Sequence, residues 1–301
     1  QAAIDRLMGF LALMRHPDGA LALFNGMGAT SLVLLGAVLA FDDSGQATPS
    51  VTSEGGYLRA TRSDAVLIAD TGAAPPASAS EDAHASALSF EFSTEHDRLI
   101  VNCGSAPSGM DDMREALRET PAHSTVAVDG ASSARFQTVQ AQDGAVRRRM
   151  LGAPAAVQAD RIAAEAGATL TLRHDGYRRA YGLAHVRTLA LAADGACLEG
   201  DDLLEPVGTG KETPQVGALL RFHLHPRVNA ILLPGATAVR LELANGAVWS
   251  FEAGGAPLRL EESIYFGGLA SQRRTVQIVV PAAQPGTALH WKLARRARPG
   301  S

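Results

Sequence analysis

Cysteine is scarce in this chain: Cys103 and Cys197 are the only two among 301 residues. That number excludes a disulfide-stapled framework and leaves either one bridge in an oxidising compartment or two free thiols. Aromatic residues are only 5% of the chain. The longest apolar run, Ser31 to Phe41, is too short to cross a bilayer as a helix, so no membrane span is expected. No initiating Met and no charged segment with a cleavage site mark a signal peptide. The chain opens at Gln1 in mid-pattern and reads as a piece of a longer protein. Basic charge is not in excess either: 27 Lys and Arg stand against 31 Asp and Glu, a net −4. This argues against a nucleic-acid or polybasic membrane binder. A polyanionic partner would have to be held by local arginine clusters. A phosphate-cradling glycine loop, a Cys-x-x-Cys pair, a Gly-x-Ser-x-Gly elbow and a fixed-period repeat are all missing.

Apolar residues make up 46% of the sequence, enough for a sizeable core in one large or two ordinary domains. Ile4, Leu7, Met8, Leu11 and Met14 recur at helical spacing, and His16-Pro17-Asp18-Gly19 stops that helix. His16 reads as a C-cap contact. Ser31–Phe41 reads as a second helix, and residues 42–56 as a linker. Alternating segments follow at Gly56–Thr61, Ala65–Asp70, Leu88–Phe92, Leu99–Asn102, Ser124–Val128 and Ala134–Val139, with turn signals at Asp129-Gly130 and Asp143-Gly144. Residues 73–80 read as an exposed loop. The Ala-rich stretch 154–168 would be helix on propensity, yet the alternation of Thr169–Leu172 and the resemblance described below favour two strands around Gly167. Val239–Leu243 and Val248–Phe251, joined at Asn245-Gly246, form the clearest hairpin, and Leu258–Glu261, Thr275–Val280 and Leu289–Leu293 extend the β pattern. The expectation is a mainly β chain: a short helical segment over 1–44, then a large antiparallel two-sheet sandwich over 45–301.

Three segments draw attention together: His84-Ala85-Ser86-Ala87-Leu88-Ser89-Phe90, then Val101-Asn102-Cys103-Gly104, then His123-Ser124-Thr125 running to Asp129-Gly130. With His174-Asp175-Gly176-Tyr177 and Arg221-Phe222-His223-Leu224-His225-Pro226, their order and spacing resemble the C-terminal β-domain of heparinase II/III-like polysaccharide lyases. The likeness covers roughly residues 57–295. It implies that residues 1–44 are the end of an α/α toroid, that the source exports the protein to the periplasm or medium, with the cytoplasm as the alternative, and that the whole protein cleaves a uronic-acid glycan by β-elimination. In that reaction a base removes the C5 proton, a donor or cation neutralises the neighbouring carboxylate, and a Tyr or His protonates the leaving oxygen.

The resemblance also implies a zinc ion held by His84, Asn102 and His123, where the family carries an Asp at position 102. A neutral amide is the poorer ligand for a cation. Some members carry His-x-His-x-Asp where this chain reads Asp82-Ala83-His84-Ala85-Ser86, so a family histidine is replaced by Asp82. His84, His174 and Tyr177 are the catalytic candidates, and Arg178, Arg221, His223 and His225 the substrate-binding ones. The alternation of Arg221, His223 and His225 puts them on one strand face, read as a solvated one if they are not functional. Arg147–Arg149, Arg178-Arg179 and Arg273-Arg274 could clamp carboxylate or sulfate, or simply solubilise the surface. His84, on the parity of Leu88 and Phe90, is expected on the strand and near Asn102 and His123 at one rim of the sandwich. The departures at 82 and 102 keep a rival open: a carbohydrate-binding or scaffolding module that kept the sandwich and lost the chemistry.

Overall fold

The computed structural model describes residues 2–40, 51–140, 146–207, 215–268 and 272–297. The expected linker over 42–50 and the Asp143-Gly144 turn lie outside these, while 51–54 of that linker is strand. Helices α1 (Ala2–Met14) and α2 (Leu32–Leu39) precede strands β1 (Val51–Glu54), β2 (Tyr57–Arg62), β3 (Ala65–Asp70), β4 (Phe90–Thr94) and β5 (Asp97–Val101). Helix α3 (Asp111–Leu117) leads to β6 (Val126–Val128), β7 (Phe136–Gln140), β8 (Val146–Met150), β9 (Val157–Ala164) and β10 (Gly167–His174). One turn, α4 (Arg178–Tyr181), precedes β11 (Leu183–Ala192), β12 (Cys197–Pro206), β13 (Ala218–Leu224), β14 (Asn229–Leu232) and β15 (Ala238–Glu242). The chain then continues through β16 (Val248–Ala253), β17 (Arg259–Tyr265), β18 (Arg273–Pro281) and β19 (Ala288–Arg295). The mainly β expectation holds, and the stretch 154–168 gives two strands and no helix, β9 turning at 165–166 into β10, on which each residue of β9 finds a partner.

The strands form two large antiparallel sheets. One runs β1-β2-β3-β4-β5-β13-β18-β17 with β6 beside β13; the other runs β14-β15-β16-β19-β12-β11-β10-β9; β7 and β8 form a separate hairpin. Their inner faces carry one continuous core that includes Phe90, Phe222, Phe251, Trp249 and Trp291. Phe90 stacks on Trp291 at 5.7 Å between centroids, and Phe222 tilts against Phe251 at 4.8 Å. Gly200, opposite Trp291 in the ladder, has to be glycine: a Cβ there would sit 2.2 Å from the indole. The Asn245-Gly246 hairpin pairs Val239 with Phe251 and Leu241 with Trp249 as the alternation requires, and Gly246 takes φ +82° at the turn.

The helical segment packs on the outside of the first sheet. Leu13, Met14, Phe24 and Leu35 share an apolar cluster with Tyr57, Val66 and Ile68. The periodic face expected of α1 is only half used: Met8 and Met14 are buried, but Ile4 and Leu7 stand exposed because only the C-terminal half of the helix reaches the sheet. His16 is more than a cap. Its imidazole is buried between Ser93 Oγ at 2.8 Å and Glu91 Oε2 at 2.9 Å, while Arg59 from β2 caps α1 by donating to the Leu13 and Arg15 carbonyls.

Candidate functional site

His84 sits in the loop leading into β4, not on the strand as its parity suggested, because the chain turns at Leu88 with φ +60°. Hydrogen bonds from several directions pin that loop. Asn25 Oδ1 accepts the His84 N–H at 2.9 Å, the Arg118 guanidinium donates to the Ser80 and Ala83 carbonyls, and Thr120 Oγ1 donates to the Ala85 carbonyl. His123 ends a short 3-10 turn over Thr120–Ala122. The two imidazoles meet edge to face, His84 Nδ1 lying 3.1 Å from His123 Nε2. His123 Nδ1–H donates to the Glu119 carbonyl at 3.0 Å. Its Nε2 is therefore the acceptor, and His84 Nδ1 carries the shared proton. Burial pushes His123 down to about 4, against the pull of Glu119. Burial, then His123, then Arg118 and Arg114, hold His84 well below the usual imidazole range. Both shifts favour the neutral imidazole.

Two cavities share His84. The larger, about 560 Å³, is walled by Glu81, Asp82, Arg114, Glu115, Arg118 and Arg148. Its arginines are spent on carboxylates of the chain. Arg114 pairs with Asp82 at 2.8 Å, Arg118 with Glu115 at 2.9 Å, Arg148 with Glu115 and Glu119 at 3.0 and 2.6 Å, and Arg149 with Glu81 at 3.0 Å. The Arg147–Arg149 run, a possible oxyanion clamp from sequence, is thus turned onto this chain's own carboxylates. The smaller cavity, about 260 Å³, lies beside Asn25, Tyr57, Asp70 and Ser133. Asp70 accepts from Ser86 Oγ at 2.6 Å, and burial raises its carboxyl to about 6 against that bond and one from the Gly72 amide.

Asn102 follows β5 directly, as expected, but its amide is used by the fold. Oδ1 accepts the Ser124 N–H at 2.9 Å, and Nδ2 lies 3.4 Å from Glu91 Oε1, to which the Asn102 N–H also donates at 2.9 Å. The implied zinc can be weighed on these donors. The nitrogens that face each other already share a proton, the amide is engaged, and among the described residues no three His, Cys, Asp or Glu side chains could hold a metal. Zinc sites use three or four such ligands. The set present falls short of one.

The other expected catalytic pair lies elsewhere. His174 and Tyr177 are buried, with rings 5.5 Å apart, and the Tyr177 hydroxyl donates to the Val126 carbonyl at 2.7 Å. Burial drives His174 well below its usual range and Tyr177 above its own. A tyrosine spent on a backbone carbonyl in the core is a packing residue. His223 and His225 are also buried, which corrects the reading of a solvated face. His223 sits between Ser263 Oγ at 2.7 Å and the Pro121 carbonyl at 3.0 Å, and His225 lies edge-on to Tyr265. Arg221 pairs with Glu261 at 3.3 Å and donates to Gln277. Of the expected substrate-binding residues only Arg178 is exposed. Both cysteines are free, Cys103 buried and Cys197 half-buried.

Sequence reasoning missed an inner polar network. Arg187 and Asp202 are direct cross-strand partners of β11 and β12 on the core side. Asp202 Oδ1 accepts from Arg187 Nε at 2.8 Å and lies 2.6 Å from His185 Nε2, and its Oδ2 accepts from Trp291 Nε1 at 2.8 Å. Burial works to raise this carboxyl, but the Arg187 charge and His185 overcome it and hold it well below the usual carboxylate range. Arg187 Nη1 also crosses to the other sheet's segments, donating to the Leu88 and Ser124 carbonyls at 2.8 and 2.9 Å. These carbonyls belong to the loops that carry His84 and His123. The signal was available: Arg187 shares the parity of Leu189 and Leu191 in an inward-facing strand.

This sandwich, with two histidines meeting where the loop before β4 approaches the turn before β6, is matched over residues 46–292 by the family described as Heparinase II/III-like, C-terminal, and the chain belongs to that family. Among solved structures, heparan sulfate lyase HepC from Pedobacter heparinus superposes with TM-score 0.70 at 13% identity, over 96% of this chain and 46% of that one. A structure of heparinase III does so with TM-score 0.69 at 13% identity, over 99% and 48%. At this identity the likeness shows the fold. A curated relative, FtsZ-localized protein C of Caulobacter vibrioides, is 30% identical over 303 residues, 97% of this chain and 51% of the relative. The chain therefore spans about half the length of that relative.

Proposed function

We propose that this domain binds an acidic glycan without cleaving it, as a carbohydrate-binding or scaffolding β-domain with a degenerate lyase site. One observation carries the reading: the positions that depart from the family pattern are engaged within the fold. Ser86, which stands at the pattern's Asp, donates to Asp70. Asp82, where some members have histidine, is paired with Arg114, and Asn102 is bonded to Ser124 and faces Glu91. A neutral amide supplies no charge to hold a metal, and a paired surface carboxylate is a weak base for a sugar C–H. His174 and Tyr177 offer no acid or base to a substrate, being buried. The relative from Caulobacter is named for a place of localisation and not for a reaction, which fits a binding role.

A second reading has its own support. His84 borders two cavities with a neutral imidazole, and in a β-eliminating enzyme it could take or return a proton if the rest of the protein supplied the missing groups. Incubating the intact protein with a panel of uronic-acid glycans separates the two. Retention of a glycan with no rise in near-ultraviolet absorbance is the expected result. Accumulation of absorbing unsaturated products would overturn the non-catalytic reading.

A further inference from the structure

A second arginine-lined cavity lies away from His84. It measures about 820 Å³ and opens between the base of the β7–β8 hairpin and the turn α4. Arg135, Arg178, Arg179 and Tyr181 line it. The three arginines are exposed and the tyrosine is half-buried. None of the three has a carboxylate partner among the described residues, in contrast to those around the His84 cavity. The single carboxylate on the wall, Asp175, already accepts the Ala156 N–H at 3.0 Å. Apart from Leu151 and the edge of the buried Tyr177, the remaining wall is made of small residues. A Cβ on Gly176 would lie 2.4 Å from the Ser133 carbonyl oxygen, and one on Gly152 would lie 2.6 Å from Arg135 Nε. Glycine at 176 lets the loop lie against Ser133, and glycine at 152 lets the Arg135 side chain lie across the floor.

We infer that this cavity is the subsite that takes an anionic oligosaccharide, with Arg135, Arg178 and Arg179 on its carboxylate or sulfate groups and Tyr181 against a sugar face. This inference deepens the glycan-binding reading and rests on it. The chemistry is that of recognition by guanidinium: planar donor forks match an oxyanion bidentately, and unpartnered exposed forks keep that capacity. An aromatic ring beside them provides the flat apolar surface that a pyranose face covers. A cavity of this size falls within the range that encloses a small ligand. The net charge of the chain is −4, so attraction of a polyanion needs such a local patch.

The test is titration of the intact protein with two probes, a heparin-derived hexasaccharide and an unsulfated galacturonate oligomer, at low and at physiological salt. The Arg178→Ala/Arg179→Ala variant is expected to lose affinity at least tenfold, and Arg178→Lys/Arg179→Lys to recover only part of it. The control, Arg240→Ala/Arg259→Ala, removes the same charge from two exposed arginines that are paired with Glu242 and Glu261, and should stay within about twofold, since screening confines the effect of exposed charges to about a Debye length. Equal loss in both variants would overturn the subsite in favour of the general field. Unchanged binding in the first variant would overturn it while leaving the glycan-binding reading standing. Failure of the unaltered protein to bind either probe would remove both. Binding of heparin alone would assign the arginines to sulfate, and binding of both probes to carboxylate.

Discussion

Two ion networks in this molecule use the same groups in opposite surroundings. Inside the sandwich, Arg187 and Asp202 are sealed from water, with His185 and Trp291 completing the carboxylate's partners. At the His84 cavity, Arg148 holds Glu115 and Glu119 at the edge of solvent, where the Arg148 side chain is 32% exposed and Glu115 37%, while the buried Arg118 holds Glu115 from behind. Both networks neutralise themselves. They differ in what the loss of one member costs, because a stranded charge in the core cannot be rehydrated while one at the rim can. The inner network also fixes position: through Leu88 and Ser124 it ties the loops of His84 and His123 to the opposite sheet. The rim network leaves its cavity open but keeps the arginines on the chain's own carboxylates.

The largest effect should follow Arg187→Leu. Asp202 would keep its burial and lose its cation, at a cost of about 3–5 kcal/mol. Urea denaturation should show that drop, and the double variant Arg187→Leu/Asp202→Leu should regain much of it, because it removes the stranded charge as well. The pH dependence should reverse. In the parent, the depressed Asp202 pKa contributes stability above the ordinary carboxylate range that is lost as pH falls through the folded value. In the single variant, burial without Arg187 raises that pKa, so the variant should be least stable at high pH and gain on mild acidification. A single-variant loss below about 1 kcal/mol would erase the distinction between the two networks.

Much of this architecture was legible because period-2 alternation survives wherever one face of a strand is buried. The Asn245-Gly246 hairpin is the clearest case, its turn chemistry and apolar register agreeing. The convergence of His84 and His123 was legible only through resemblance, since one sits in a loop and the other after a 3-10 turn. Periodicity says nothing about either place. Glu91 could not be read as buried. Its parity sets it opposite Phe90 and Phe92, on a face that would meet solvent were residues 13–24 not packed over it, with Leu23 donating its N–H to Glu91. His223 and His225 misled for the same reason: a polar face of a strand looks solvated until a neighbouring segment covers it.

Asn102→Asp should have an intermediate effect and sharpens the comparison at the boundary between core and rim. The new carboxylate would face Glu91 Oε1, now 3.4 Å from the Asn102 amide nitrogen, and would lose that donor. Stability should fall by about 1–3 kcal/mol, the usual cost of an unsatisfied or opposed buried acceptor. The substitution also restores the carboxylate that the resemblance implies as the third zinc ligand beside His84 and His123. If the missing charge is what keeps the donor set from holding zinc, added zinc should raise the melting temperature of the variant and leave the parent unchanged. No shift in either would put residue 102 out of reach of the two imidazoles. Stoichiometric zinc in the purified parent, absent from a His84→Ala/His123→Ala variant, would show the donor-set argument to be wrong.

Arg148→Ala should have the smallest effect. The residue looks important on paper, with contacts to Glu115 at 3.0 Å and Glu119 at 2.6 Å and its guanidinium 4.8 Å from the centroid of the Phe136 ring. Burial tends to lower its pKa, but the bonds to Glu119 and Glu115 raise it. Those bonds are made at a wet surface, and Arg118 remains to hold Glu115 through two contacts of 2.9 and 3.0 Å. A loss of about 0.5–1 kcal/mol is expected, and it should shrink as salt is added, since exposed pairs are screened. Denaturation midpoints measured at low and at high salt read this directly. A loss as large as that of Arg187→Leu, insensitive to salt, would mean that the His84 cavity is drier than its exposed carboxylates indicate. The rim network would then belong with the interior one.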